Sequence, residues 1–334
     1  MEHRAWVGRW RDELKGLAIL WIVYYHSQLD LPGGWNLLHQ WGYGGVDIFF
    51  FLMGMGLYHS LQKNNDLRGY TSRRLWRILP AYLPVLILWM AFMYPSYGLS
   101  TVQAIRGISG NLTMTGYWLQ TPRVFNWFAN GQFFFLLIAP LCFALLTRSD
   151  KPTVTLIALL ILSGLIGFAC FGQKQLMGAS RLPVFLLGMA FGMEWPVNGK
   201  RGLVRAGYLT AFFAGLAILL LATLRYTWTL LDYGMYWYPF ALITPPLCVG
   251  IAGLFQKSDR TKRLFTPLRK LGESSFEIYL INIWMVELAK KTGVTDPWAW
   301  ILLCVLNLFA GMGYHVLVIQ GVARLRKGTE TKHT

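Results

Sequence analysis

Charge is what this sequence has least of. Only 14% of its 334 residues are Asp, Glu, Lys or Arg, and just 15 are acidic, against the roughly 25% charged residues of a soluble domain. A chain with 55% hydrophobic residues and so little polar surface cannot stay dissolved, which excludes a soluble enzyme and points to the bilayer. Paired cysteines are also missing. Cys142, Cys170, Cys248 and Cys304 each fall inside an apolar stretch, with no C-x-x-C pair and no metal-ligand spacing to histidine, so they read as small core residues and imply no metal. A signal-peptide cleavage site is absent too: Arg4, Arg9 and Arg11 precede an apolar run from Leu14, but that run carries Lys15 and His26 and no small-x-small site follows. It reads as a retained first helix.

Basic residues are plentiful, with a formal net charge of +16. They come as short clusters between apolar runs, and no basic domain exists to hold a duplex, so nucleic acid is excluded as a partner. Ten stretches are long and apolar enough to cross a hydrocarbon core of about 30 Å: 14–31, 41–61, 78–98, 127–147, 153–172, 181–195, 208–224, 236–256, 271–288 and 297–323. With the N-terminus inside, the inner connections hold 23 of the 31 Lys and Arg residues and the outer ones seven, Lys15 lying within the first span. Cytoplasmic loops carry such an excess. The expectation is a single all-α domain over 1–334, a polytopic membrane bundle of about ten transmembrane helices with both termini cytoplasmic. No internal repeat is visible, and the sequence assigns no oligomeric state. Asn111-Leu112-Thr113 in the longest outer connection matches a glycosylation sequon and reads as chance.

Ionisable groups within a bilayer are costly and mark function unless partnered. Lys15 and His26 are eleven residues apart, which puts them on one helix face about 16 Å apart along the axis. The lysine lies at the inner edge and the histidine beyond the midplane. Asp47, just inside the second span, should reach a similar depth, where a carboxylate can hold one ring nitrogen and leave the other more basic. Asn282 of the ninth span comes to that depth as well, with Glu277 below it. Arg73, Arg74 and Arg77, ahead of Pro80 and Tyr82, stand at the inner edge of the third span. They read either as a topology anchor or as a dock for a phosphorylated donor, since guanidinium groups grip phosphates in bidentate fashion. Gly44-Gly45 and Gly54-x-Gly56 follow no strand, so they read as close helix packing and not as a phosphate loop.

Several of these stretches resemble acyltransferase family 3, the membrane acyltransferases that modify surface glycans. The similar segments are Leu14-Lys15-Gly16-Leu17-Ala18-Ile19 with His26, Gly45-Val46-Asp47-Ile48-Phe49-Phe50 through Gly54, Arg73-Arg74-x-x-Arg77-Ile78-x-Pro80-x-Tyr82, Arg181-Leu182-Pro183-x-Phe185-Leu186-x-Gly188, and Leu271-Gly272-Glu273-x-Ser275-Phe276-Glu277-Ile278-Tyr279-Leu280. A weaker match runs from Trp127-Phe128 to Pro140. They occur in the family's order over most of the chain.

The resemblance implies about ten helices and an acyl-CoA donor, acetyl-CoA in the first instance, taken from the cytoplasm as a substrate and not as a bound cofactor. It also implies an essential histidine on helix one, here His26. Lys15 stands where arginine is common, keeping the charge without the fork. Met53 replaces a usual serine and Asn282 a frequent histidine, so the catalytic burden falls on His26. The resulting expectation is an O-acyltransferase of the bacterial inner membrane that acylates a hydroxyl of a cell-envelope glycan or its precursor. His26 and Asp47 would be catalytic, and Lys15, Arg73, Arg74, Arg77 and Tyr82 would bind the donor. Arg181, Glu277 and Asn282 would line the site, with an outer mouth near Asp47 and Arg181. Direct transfer and an acyl-histidine step both fit. Two competing readings are a transporter or flippase of a glycan or small polar solute and a sensory domain with a degenerate site.

Overall fold

The computed structural model describes residues 2–29, 31–64, 66–193, 201–225, 228–258 and 262–330. Asp30 of the first expected span, residues 194 and 195 of the sixth, and the basic residues Lys200, Arg260 and Lys332 lie outside the described residues. Among the described residues there is no strand.

The helices run in the order α1 (Glu2–Arg9), α2 (Arg11–His26), α3 (Gly34–Gln40), α4 (Gly45–Lys63), α5 (Leu67–Met93), α6 (Thr101–Leu112), α7 (Trp127–Arg148) and α8 (Pro152–Ala169). They continue with α9 (Leu176–Ala179), α10 (Leu182–Gly192), α11 (Arg201–Leu224), α12 (Trp228–Asp232), α13 (Pro239–Lys257), α14 (Lys262–Glu273), α15 (Ser275–Lys291) and α16 (Pro297–Glu330). Each of the ten expected spans overlaps at least one of them. Seven stretches are long and apolar enough to cross a membrane by themselves: Gly42–Lys63, Leu67–Tyr97, Trp127–Arg148, Pro152–Ala169, Val204–Leu224, Pro239–Lys257 and Pro297–Arg324. The chain is an all-α polytopic membrane protein. The other three expected spans correspond to α2, α10 and α15, of 16, 11 and 17 residues.

α10 is apolar throughout and falls short only in length, whereas burial explains the polar residues of α2 and α15. The membrane-length window of α4 is 78% buried, whereas those of α8 and α16 are 11% buried, so α4 is central and α8 and α16 face outward. The short helices pack around the centre, α10 along α4 and α15 against α2. A helix covered by protein need not be apolar all round. The α4–α10 contact is close: a Cβ on Gly54 would stand 2.3 Å from the Phe185 carbonyl oxygen, and one on Gly188 2.1 Å from that of Phe51. Only glycine fits at either place, in accord with the packing reading of Gly54.

The third span is longer than its hydropathy suggests. α5 begins at Leu67, where the Asp66 side chain accepts hydrogen bonds from the backbone N–H of Arg68 (3.1 Å) and Gly69 (2.8 Å). That cap satisfies two of the orphan donors of the first turn. Arg73, Arg74 and Arg77 therefore stand on a helix and not in a connection. The outer connection after α5 folds as α6 and an ordered loop. Asn111 of the sequon is fully buried, its amide donating to Gly107 O and Arg123 O at 2.9 Å each and its oxygen accepting from Phe125 N, which leaves nothing for a glycan to reach.

Candidate functional site

The first expected span, α2, meets α15 through a polar contact at its end. His26 closes α2, and its Nδ1 lies 2.6 Å from Oδ1 of Asn282 on α15. With the amide oxygen as acceptor, Nδ1 carries the proton and Nε2 keeps the lone pair. Tyr25 and Tyr279 flank the imidazole, with ring centroids 5.2 and 6.3 Å away, and Phe128 packs on Tyr279 at 4.7 Å. The turn after His26 is held by Ser27, whose carbonyl lies 2.9 Å from His39 Nε2.

The carboxylate expected to hold His26 is engaged elsewhere. Asp47 Oδ1 lies 3.6 Å from Arg181 Nε, both side chains being 1% exposed. Arg181 donates through Nη1 to Met177 O (3.0 Å) and Ser180 Oγ (2.9 Å), while its contact with Asp47 is an ion pair without a hydrogen bond. Its guanidinium lies between the rings of Trp127 and Trp237, at 5.7 and 5.4 Å. The residues expected at an outer mouth are thus a sealed ion pair linking α4 to the start of α10, because a pair of opposite charges this deep must be enclosed together.

At the inner end of α2, Lys15 Nζ lies 2.6 Å from Asp12 Oδ1 and Arg11 Nε 3.9 Å from the same oxygen. Lys15 and Arg11 lie within electrostatic reach of Arg77, and Arg11 also of Arg74. Arg74 sits over the ring of Tyr70 at 5.9 Å, and Arg73 and Arg77 are exposed. These four cations of α2 and α5 stand within reach of one another, with Asp12 and Glu277 the carboxylates among them, an arrangement suited to a polyanion. Arg11 had read only as a topology residue. Glu277 belongs to this end as well, with His315 Nδ1 of α16 at 3.2 Å from its Oε1.

Tyr82 does not join the cations. It is fully buried, and its hydroxyl donates to Asn111 O at 3.0 Å, tying α5 to α6. Its side chain cannot meet a cytosolic phosphate while it fills that position, so the expected donor contact is corrected to a packing role.

Some polar groups had no signal strong enough to draw attention in the sequence. Glu287 accepts from Trp89 Nε1 (2.7 Å) and from the Tyr97 hydroxyl (2.5 Å). Asn307 of α16 is 1% exposed, and neither end of its amide has a hydrogen-bond partner among the described residues. It lines a cavity of about 10 Å³ with Ser27 and Asn282, the residues next to and hydrogen-bonded to His26.

A family model described as an acyltransferase domain matches residues 9–316. The chain belongs to acyltransferase family 3. Searches of curated proteins and of solved structures found no match. The matched stretch runs from α2 into α16 and takes in the His26–Asn282 contact, the cation cluster and the Asp47–Arg181 pair.

Proposed function

We propose that this acyltransferase moves an acyl group, acetyl in the simplest case, from cytosolic acyl-CoA to a hydroxyl of a glycan or glycan precursor at the bacterial inner membrane. The observation that carries the reading is the 2.6 Å contact between His26 Nδ1 and Asn282 Oδ1. It supports His26 as a general base with Nε2 free.

As the acceptor oxygen bonds to the thioester carbonyl carbon, its proton passes to Nε2. Collapse of the tetrahedral intermediate breaks the C–S bond, and the proton moves on to the departing thiolate. The products are an ester and free coenzyme A. Arg11, Lys15, Arg74 and Arg77 hold the donor's phosphates, with Arg73 at their edge, and Glu277 with His315 borders that cluster. Asp47 and Arg181 serve the site from behind, by fixing α4 against α10.

Purified protein incubated with radiolabelled acetyl-CoA should transfer or hydrolyse the acetyl group, and His26→Ala should not. Mass spectrometry of envelope polysaccharides from cells with and without the chain identifies the acceptor. Turnover of no acyl-CoA by a correctly inserted protein would reject the proposal.

A further inference from the structure

Helix α5 has two different faces. At about 100° per residue, Tyr70, Arg74, Arg77 and Ala81 share one side. That side turns inward at Tyr70, whose hydroxyl donates to Leu136 O of α7 at 3.1 Å, and at Ala81, which is fully buried, with Arg74 over the Tyr70 ring at 5.9 Å. Arg68, Ser72, Trp76, Leu79 and Leu83 share the opposite side. They face a groove of about 870 Å³ between α5 and α16, whose far wall is formed by Leu317, Val318 and Gly321. The groove is closed towards the bundle's middle where the Tyr314 hydroxyl donates to Ala81 O at 2.8 Å.

Its polarity is graded. Arg68, Thr71 and Ser72 stand at one end and apolar side chains line the remainder. Trp76 is 43% and Leu317 65% exposed, so this apolar wall is covered only when the bilayer covers it. Arg324 follows two residues after Val322 at the same end, and neither it nor Arg68 makes an ion pair among the described residues.

We propose that this groove binds an anionic phospholipid of the inner leaflet, its phosphate at Arg68 and an acyl chain along Leu79, Leu83 and Leu317. Basic pockets between membrane helices on the cytoplasmic side recognise such headgroups. An amphiphile with one anionic end matches the gradient from Arg68 to Leu83. A second copy of the chain matches it poorly, because a two-fold axis along the membrane normal would bring Arg68 and Arg324 of both copies to the same depth, where like charges repel. The donor is disfavoured as occupant because Arg74 and Arg77 lie on the other side of α5. The inference therefore stands on the membrane fold and the groove, independently of acyl transfer.

Native mass spectrometry of the full-length protein, exchanged into phosphatidylglycerol or phosphatidylcholine, tests it. The expected result is one phosphatidylglycerol retained per chain in preference to phosphatidylcholine. Arg68→Glu should lower that retention at least about fivefold. Gly321→Trp should displace either lipid, since nothing lies within 4 Å of a Cβ at Gly321 and the new ring enters the groove without disturbing the backbone. Equal retention of both lipids by the parent overturns the proposal, as does retention unchanged in both variants. So does a dimer that Gly321→Trp converts to a monomer with its lipid intact, which would assign the groove to a second copy.

Discussion

Asn282 Oδ1 meets His26 Nδ1 at 2.6 Å although 256 positions separate the two residues in the chain. The contact joins the end of α2 to the middle of α15 and gives the imidazole one defined tautomer. His26→Ala should retain donor binding and lose about 10²–10⁴-fold in acyl transfer, the usual cost of a missing general base. His26→Asn keeps polarity without a base and should be as impaired. Asn282→Leu leaves a polar nitrogen unpaired, a loss of about 1–3 kcal/mol, which corresponds to roughly five- to 150-fold in rate. Single-turnover acyl transfer measures all three, and an Asn variant at position 26 with the parent's rate would make the histidine structural.

The cation cluster predicts a different failure. Arg74→Ala or Arg77→Ala removes a charge-assisted contact of about 1.5–3 kcal/mol, so donor affinity should fall roughly ten- to hundredfold with acceptor affinity unchanged. Lys15→Ala should resemble them and also leave Asp12 short of its closest cation, whereas Lys15→Arg should be tolerated. Titration with acyl-CoA separates these outcomes, and unchanged affinity in a well-inserted variant would return the cluster to a topology anchor.

Much of this was legible in the chain. Seven of the ten expected segments are long and apolar enough to cross a membrane, and peripheral ones such as α8 and α16 were legible because a lipid-facing helix must be apolar whatever its neighbours. The start of α5 was not, because Arg68, Arg73, Arg74 and Arg77 depress hydropathy just where the Asp66 cap begins the helix. The depth of His26, Asp47 and Asn282 could be counted in residues, yet which of them touch depends on helix rotation. That is settled by close contacts such as Gly54 against Phe185, which no single-helix periodicity contains. Asn307 was invisible for a related reason, as one amide in an apolar run reads as tolerated until both its ends are found buried.

The Asp47–Arg181 pair should act on stability first. Removing one member strands a buried charge, a loss of about 3–5 kcal/mol, whereas replacing both with apolar residues of similar size is nearly neutral. Asp47→Leu and Arg181→Met should each lower the thermal midpoint of the detergent-solubilised protein, and the double variant should recover most of the loss. A stable Asp47→Asn variant without acyl transfer would instead place the carboxylate in the chemistry.

Topology follows from the asymmetry of basic residues. A reporter fused after Thr334 should be active only if it is one that works in the cytoplasm. Activity of a periplasm-dependent reporter there would remove or add a span and undo the argument that Asn282 reaches the depth of His26.

Asn307 offers the closest test of how the histidine is held. Its amide is buried with no hydrogen-bond partner among the described residues, and the cavity it shares with Asn282 and Ser27, about 10 Å³, is about the size that one water needs. A water there would accept from one amide and donate to the other, so that Asn307 restrains Asn282 and Asn282 restrains His26. Asn307→Leu fills the cavity and takes the water-held amide away, exchanging a polar contact for apolar packing, so the thermal midpoint should change little. Acyl transfer should nevertheless fall severalfold, with donor affinity unchanged. Because the effect passes through Asn282, Asn307→Leu should cost less in an Asn282→Leu background, and a double-mutant cycle on the transfer rate should give a coupling of at least about 0.5 kcal/mol. Strict additivity of the two substitutions would show that Asn307 only fills space beside the site.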